Sequence, residues 1–503
     1  MSETWVSTDT AIGIGIKLFT EGQKGEAEKI FLAALESDPG SFAAKFWLGH
    51  CAFERKANYE ALYWFDRALK INRKSAVAHA NRGMVLSELG HNDEAGSELR
   101  TALAIDPKSH IAKVNLANTL VRLGRFKEAI TMATEALEIN PHDDIAYFNR
   151  GIAKYSLDDV AGAIADYDRS LHENPKNAES SYNLANALLK VGQLREGFQR
   201  YDARLSTTQA GNYYYFEPTA PWWKGEDLAG KTILIHGEQG IGDSIMFMRY
   251  VEVIAEQYRT AKIVVVPHTA LLSMCHDDNR YPHVVIHPAA EKPYPQHDYY
   301  TYLMSLPGIV GTDLDSIPRR WHPEDEWSFS ADCRTWGGRA KSLVVPDDTN
   351  IGICWSGNVI HKNDAHRSMA LEQFAPIVRS NPDVQFHCIQ KEIRPCDLAL
   401  VKELGIKTYC DHLTDMRETA HLIGCLDMVI SVDTAVAHLA ATFGKPTWIL
   451  LPKFRTDWRW MMSGDRSPWY PSARLFRQFS VGDWLPVTTW VAKALSDQKR
   501  VAA

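Results

Sequence analysis

A chain of 503 residues has room for two to four domains, and a composition of 45% hydrophobic and 23% charged residues excludes fibrous and intrinsically disordered classes. The net charge of −7 argues against nucleic acid as the main partner, and no apolar run approaches the roughly 18 residues of a membrane span. The opening "MSETWVSTDT" lacks a secretory signal, and the eight cysteines form no C-x-x-C pair, so a reduced, cytoplasmic protein without zinc knuckles or disulfides is expected.

From the N-terminus the sequence repeats. Pro39, Pro107, Pro141 and Pro175 keep a period of 34 residues, with Arg73 in the one vacant slot. Gly15, Gly49, Gly83, Ala117, Gly151 and Ala185 share that period, as do Ala27, Ala61, Ala95, Ala129 and Ala163, with Gly197 closing the series. Small residues at fixed offsets let paired helices pack closely, and proline ends each unit because it cannot continue a helix. The pattern resembles the tetratricopeptide repeat over residues 7–205, in six units. It predicts an all-α solenoid with a concave groove.

Asn81, Asn115, Asn149 and Asn183 also lie 34 apart. The resemblance places them on the inner groove, where an amide's donor and acceptor can pair with an extended peptide backbone. A similar asparagine ladder lines the repeats of protein O-GlcNAc transferases. The competing reading is that these amides bond neighbouring helices. Gly13 and Trp47 occupy the slot in the first two units, so a groove of this kind begins at the third.

After Leu205 the aromatic, aperiodic stretch "GNYYYFEPTAPWWKGEDLAG" reads as a linker. The segment Tyr213 to Trp223 is either a ligand platform or packing. Strands then alternate with helices: "KTILIH", "AKIVVVP" and "HVVIHP" in one set, "NIGICWS", "VQFHCIQ", "DMVISV" and "PTWILLP" in another. That alternation predicts parallel sheets in two Rossmann-like domains. Two loops invite ligands. Gly237 to Asp243 has glycines that permit close approach, yet it matches neither the dinucleotide fingerprint nor a Walker loop; Asp243 could simply cap the helix. In "SVDTAVAHLAATFGKPTWILLP", Ser431 to Pro452, the backbone N–H groups of Thr434, Ala435 and Val436 open a helix whose dipole favours an anion. Thr434 adds a hydroxyl and His438 lies one turn on. An ordinary capped helix with a core histidine is the other reading.

"GEQGIGDSIMFMRY", "WSGNVIHKNDAHRS" and "SVDTAVAHLAATFGKPTWILLP" together resemble the bacterial heptosyltransferase-type glycosyltransferases over about Lys231 to Leu495. The resemblance implies an α/β GT-B fold, with an acceptor-side domain at 206–345 and a nucleotide-sugar domain at 346–503. It also implies a last helix, "DWLPVTTWVAKAL", that crosses back to the first domain. It carries the catalytic carboxylate onto Asp243 and the donor-diphosphate grip onto Asp433, Thr434, Ala435 and His438. Gly240 and Gly242 would allow the donor close, Lys362 and Arg367 compete to neutralise it, and Gln390 and Lys391 lie where nucleotide contacts occur. Glu238, His236 and His361 are reserve bases. Repeats ahead of GT-B are closer to protein O-glycosyltransferases, including those modifying bacterial flagellins.

The resulting expectation is an inverting, metal-independent transferase with no cofactor beyond its nucleotide-sugar co-substrate. Its acceptor is a polypeptide Ser or Thr, with flagellin among the candidates. The alternatives are a saccharide or glycolipid acceptor, with the repeats as a docking surface, and an inactive scaffold. The "DLD" at Asp313 to Asp315 reads as a surface turn, and His361, His366 and Asp364 have poor spacing for a metal. The aromatic stretch Asp457 to Pro471 either lines or seals the cleft. The nucleotide, the sugar and the oligomeric state are not indicated.

Overall fold

The computed structural model describes residues 7–208, 217–275, 281–318 and 349–502. Tyr213 to Phe216 and the expected domain boundary at 345 lie outside the described residues. Two compact units divide the chain, Met1–Asn183 and Leu184–Ala503.

The first unit is built of helical hairpins: α1 (Thr8–Thr20) with α2 (Lys24–Ser37), α3 (Phe42–Glu54) with α4 (Asn58–Ile71), α5 (Ala76–Glu88) with α6 (Asn92–Ile105), α7 (His110–Arg122) with α8 (Phe126–Ile139), and α9 (Asp144–Ser156) with α10 (Val160–Glu173). A sixth pair, α11 (Ala178–Lys190) and α12 (Leu194–Tyr201), straddles the division. Each first helix starts with the same device. Ser7, Ser41, Ser75, Ser109 and Asp143 each accept a hydrogen bond from the N–H three residues on. Asn177 does the same for the N–H of Ser180. Such a cap contributes about 1 kcal/mol. The small position admits a large partner from the second helix: a Cβ on Gly49 would lie 2.7 Å from the Phe65 ring, and one on Gly151 would lie 2.6 Å from Tyr167. First helices of neighbouring hairpins touch, as α1 does α3, α5 does α7 and α7 does α9.

The second unit holds two parallel sheets, as expected of an α/β GT-B fold. The first comprises β1 (Thr232–His236), β2 (Lys262–Val266), β3 (Val284–Ile286) and β4 (Tyr299–Tyr302), in the order β3-β2-β1-β4. Between β1 and β2 run α13 (Ile241–Phe247) and α14 (Arg249–Gln257), and α15 (Leu306–Ile309) follows β4. The second sheet begins with β5 (Thr349–Cys354), then α16 (Asp364–Arg367), α17 (Leu371–Arg379), β6 (Val384–Cys388), α18 (Leu398–Glu403), β7 (Lys407–Thr408) and α19 (Met416–Cys425). It closes with β8 (Met428–Val432), α20 (Ala435–Thr442), β9 (Thr447–Leu451), β10 (Ala473–Arg477) and α21 (Leu485–Ala502). Its order is β10-β9-β8-β5-β6-β7. The chain therefore reverses direction across the sheet between β5 and β8, and across the first sheet between β1 and β4. Crevices at the carboxyl ends of such strand pairs are where ligands bind in open α/β sheets. Both loops singled out in the sequence emerge there.

The expected crossover helix does something else. In α21, Val487, Val491, Ala492 and Leu495 join the core of the second sheet, the helix lies on α17, and Ser496 Oγ donates to Asn381 Oδ1 at 3.0 Å. An apolar face matched to β10 and α17 holds it on its own sheet. The expected unit boundary at 205 also moves, because α12 packs within the second unit. The Phe198 ring meets Phe247, Trp458 and Trp469 edge-on. Asp313, in a turn closed on Ser316, pairs with Arg195 at 2.8 Å. Trp222 and Trp223, from the aromatic linker, serve packing: Trp222 meets Tyr300 and Tyr302, and Trp223 is buried against Tyr258.

His50 sits among Phe19, Phe46, Trp47 and Phe65, with ring centroids 4.8 to 6.2 Å away. Burial lowers its pKa from 6.5 to about 4. The unfolded chain therefore binds this proton more readily than the folded one, and stability is lost as pH falls from about 6.5 toward 4. The full difference is on the order of 3 kcal/mol. We expect the urea midpoint of the helical transition to fall between pH 7.5 and 4.5, and His50→Phe to flatten that dependence; an unchanged slope would count against it.

Candidate functional site

The residues of β8 are all buried, so the chain reaches the sheet edge at Val432 before it can turn. Thr434 then takes the N-cap position of α20 in extended conformation. Its hydroxyl is engaged elsewhere, 3.1 Å from Ser431 Oγ and 3.7 Å from Cys354 Sγ, and no side chain caps the helix. Small residues, Ala435 and Ala437, leave the first turn uncrowded. Arg367, from α16 above β5, donates Nη1 to the Asp433 carbonyl at 3.0 Å, while its Nε is buried without a hydrogen-bond partner. Gly357 makes room, since a Cβ there would lie 2.8 Å from the guanidinium. An uncapped helix start beside a fixed cation is an anion seat. Burial, followed by the like charge of Asp457, pushes the Asp433 carboxyl up to about 6.

The first loop is brought onto the second. A Cβ on Gly242 would lie 2.8 Å from His438 Cδ2 and 3.6 Å from Ala435 Cα, so this glycine lets α13 settle against α20. His438 is buried, shares a 2.9 Å hydrogen bond with Tyr470 Oη, and stacks on Trp460. Burial, reinforced by Arg459, lowers its pKa to about 3, so the ring is neutral. The expectation that Gly242 and His438 face a phosphate gives way to a packing pair, and the start of α20 carries no side-chain cap.

Asp243 accepts from the Gly240 N–H at 3.0 Å and pairs with Arg459 across the two sheets. Arg459 is buried, holds Asp457 at 2.9 and 3.0 Å, and lies over the Trp458 ring at 4.5 Å. Both oxygens of Asp243 are thus engaged. Among the reserve bases, Glu238 is buried in an ion pair with Arg204. His236 meets the Gly237 carbonyl at 2.6 Å. His361 Nδ1 accepts from the Asn363 N–H at 3.2 Å, and burial, with Arg367 beside it, lowers its pKa.

Other expected residues separate. Gln390 is buried and occupied: its Oε1 accepts from the N–H groups of Trp355 and Ser356 at 2.6 and 3.0 Å, and its Nε2 donates to Ser356 Oγ and the Glu392 carbonyl. It clamps the turn after β5 rather than facing a base. Lys391 instead lines a cavity of about 730 Å³ with Lys402, Thr408 and Cys410 at the ends of β6 and β7. Lys362 is exposed on the loop between β5 and α16. Asp364 is held by Arg394 at 2.7 Å and by Ser368, which removes it from the histidine cluster considered as a metal site. In the first unit, Asn81 and Asn183 donate to the carbonyl four residues back, both at 2.8 Å. The Nδ2 atoms of Asn115 and Asn149 are buried without a partner. Asp457, Arg459 and Tyr470 went unrecognised; the only sequence signal was the charged and aromatic stretch that contains them.

Replacing Arg459 by Met leaves the partly exposed carboxylates of Asp243 and Asp457 without their cation, which costs about 1–3 kcal/mol. We expect a correspondingly lower urea midpoint for the second unit, with Arg459→Lys recovering part of it; equal stability of wild type and the Met variant would refute the role of this pair.

Comparison with known proteins agrees with this division. The tetratricopeptide-repeat profiles match residues 13–76, 80–144, 114–178 and 166–199. The glycosyltransferase family 9 (heptosyltransferase) profile matches residues 410–450, the stretch containing β8 and α20. Protein FlbA of Caulobacter vibrioides is 25% identical over 334 residues, covering 62% of this chain, which spans 54% of that protein's length. Similar solved structures include the APC/C hetero-tetramer Cut9–Hcn1 (17% identical, 41% of this chain and 42% of that one, TM-score 0.38). Another is TTC0263, a thermophilic repeat protein of Thermus thermophilus (19% identical, 36% and 99%, TM-score 0.32). The chain thus carries tetratricopeptide repeats followed by an α/β region, one stretch of which is similar to glycosyltransferase family 9.

Proposed function

We propose that the protein transfers a sugar, with inversion and without a metal, from a nucleotide-sugar donor to a Ser or Thr hydroxyl of a polypeptide held by its repeats. The observation that carries this reading is the uncapped start of α20 with Arg367 anchored on the Asp433 carbonyl. In such a transfer negative charge builds on the departing diphosphate. A preorganised helix terminus and a cation, already in place before reaction, stabilise that charge by a few kcal/mol per well-placed donor. Ala435 gives the diphosphate access, and Arg367 is the cation beside it. Asp243, fixed by Arg459, orients the acceptor hydroxyl, and Asp433, with a pKa of about 6, takes the proton at neutral pH.

The polypeptide acceptor rests on Asn115 and Asn149. A buried, unpartnered amide donor is costly, on the order of 1–3 kcal/mol, so a side-chain turn that brings each amide to the groove and onto a peptide carbonyl is favoured. Flagellin is the first acceptor to try, on the resemblance to protein O-glycosyltransferases.

Arg367→Ala should weaken nucleotide binding at least tenfold and abolish transfer, measured by calorimetry and by release of nucleoside diphosphate. Asn115→Ala with Asn149→Ala should spare nucleotide binding and raise KM for the protein acceptor. If that double variant behaves as wild type, the acceptor is a saccharide or glycolipid; if no nucleotide binds at all, the unit is a scaffold. Because Asp433 must be ionised to accept a proton, kcat/KM should rise as pH passes through about 6. Asp433→Asn should remove that limb, and a limb that persists in the variant would assign the proton to another group.

A further inference from the structure

At the opposite edge of the second sheet, where β9 and β10 begin, lies a cavity of about 680 Å³. That size suits a small molecule, and all strands of the sheet run parallel, so the cavity is separated from the α20 seat by the length of the strands. Its walls come from three places: Trp448 and Arg474 on paired positions of β9 and β10, Arg466 on the segment before β10, and Trp490 and Lys493 on one face of α21. The backbone sets the two arginines side by side, because Arg466 and Arg474 form an antiparallel bridge.

Arg474 is held flat over aromatic rings, 5.7 Å from the Trp448 centroid and 5.0 Å from Phe476, and Trp490 meets Phe476 at 4.7 Å. The Nε of Arg474 is buried without a hydrogen bond; its nearest carboxylate, on Asp465, stands 3.6 Å away. A guanidinium fixed by stacking and by its ion pair with Asp465 is preorganised, and its fork of N–H donors suits an oxyanion. Asp497 is the one acidic residue among those lining the cavity, against Arg466, Arg474 and Lys493. At the rim the Trp490 ring is 38% exposed, leaving a flat apolar surface next to the cations. The ring edge of Trp490 packs on Phe476, while Arg466 and Lys493 are exposed and take no part in the chemistry at α20.

We propose that this cavity is a second ligand site, taking a phosphate carried on a flat ring, the chemistry of a nucleoside mono- or diphosphate. The phosphate meets Arg466, Arg474 and Lys493, and the ring lies on Trp490. The site stands independently of the donor seat, and its occupancy needs no sugar transfer.

The test is equilibrium dialysis of the full chain against UDP, GDP, ADP, TDP and CMP, with inorganic pyrophosphate as the ring-free probe. Wild type should bind at least one nucleotide at two sites per chain, and Arg367→Ala should retain one of them. In the Arg367→Ala background, Lys493→Glu should weaken the remaining site by about tenfold or more, and Trp490→Ala should weaken it for nucleotides but not for pyrophosphate. Lys493 is exposed; Trp490 also packs on Phe476, so Trp490→Phe, which keeps a flat ring, is made beside Trp490→Ala and should retain nucleotide binding. A single site lost in Arg367→Ala overturns the proposal, as does a second site indifferent to Lys493→Glu. Pyrophosphate binding as tight as the best nucleotide, with no effect of Trp490→Ala, overturns the ring half. A single site that survives Arg367→Ala but falls with Lys493→Glu upholds this cavity and removes the donor reading instead.

Discussion

The closeness of two helix starts governs the second unit. Gly242 lets α13 approach within van der Waals reach of Ala435 and His438, and that approach puts the Asp243 carboxylate beside Arg459. Everything with chemical consequence at the sheet edge follows from it. His438 becomes a neutral core residue, and burial, followed by the like charge of Asp457, raises the pKa of Asp433. A side chain at position 242 would separate the helices and undo the whole set, which is why a loop with a weak motif by spacing alone turns out to be structurally exacting.

Charge in this region is arranged in opposition. Arg367 and the α20 terminus present positive potential to the seat, while Asp243, Asp433 and Asp457 gather around Arg459 a few residues away. Transfer of a sugar away from a diphosphate needs both signs: cation near the leaving group, carboxylate near the hydroxyl and the nascent positive ring. A protein that fixes both with hydrogen bonds before substrate arrives has little reorganisation left to perform.

Much of this was legible in the sequence. The 34-residue period located all six hairpins because it is imposed by packing, with Gly49 and Gly151 answering Phe65 and Tyr167. The small-residue start of α20 was legible because Ala435 and Ala437 follow a fully buried strand. What could not be read were side-chain destinations. His438 and Gln390 carry polar groups that suit a ligand, yet each spends them on neighbours distant in sequence, Tyr470 and Trp355. Strand β10 and the two-residue β7 lacked a distinct apolar run, and α21 resembled a crossover helix whose apolar face instead matched its own sheet. Arg459 was hidden because a buried arginine is recognised only by the carboxylates that surround it, which come from separate segments of the chain.

The sixth hairpin has a bearing on how such a chain can change over generations. Repeats that touch only their neighbours can be gained or lost singly, and the first five hairpins meet that condition in their pairing. The sixth does not, since Phe198 is lodged among Phe247, Trp458 and Trp469. Duplication or deletion can therefore lengthen or shorten the array ahead of Asn183, while the last hairpin is inherited with the α/β half.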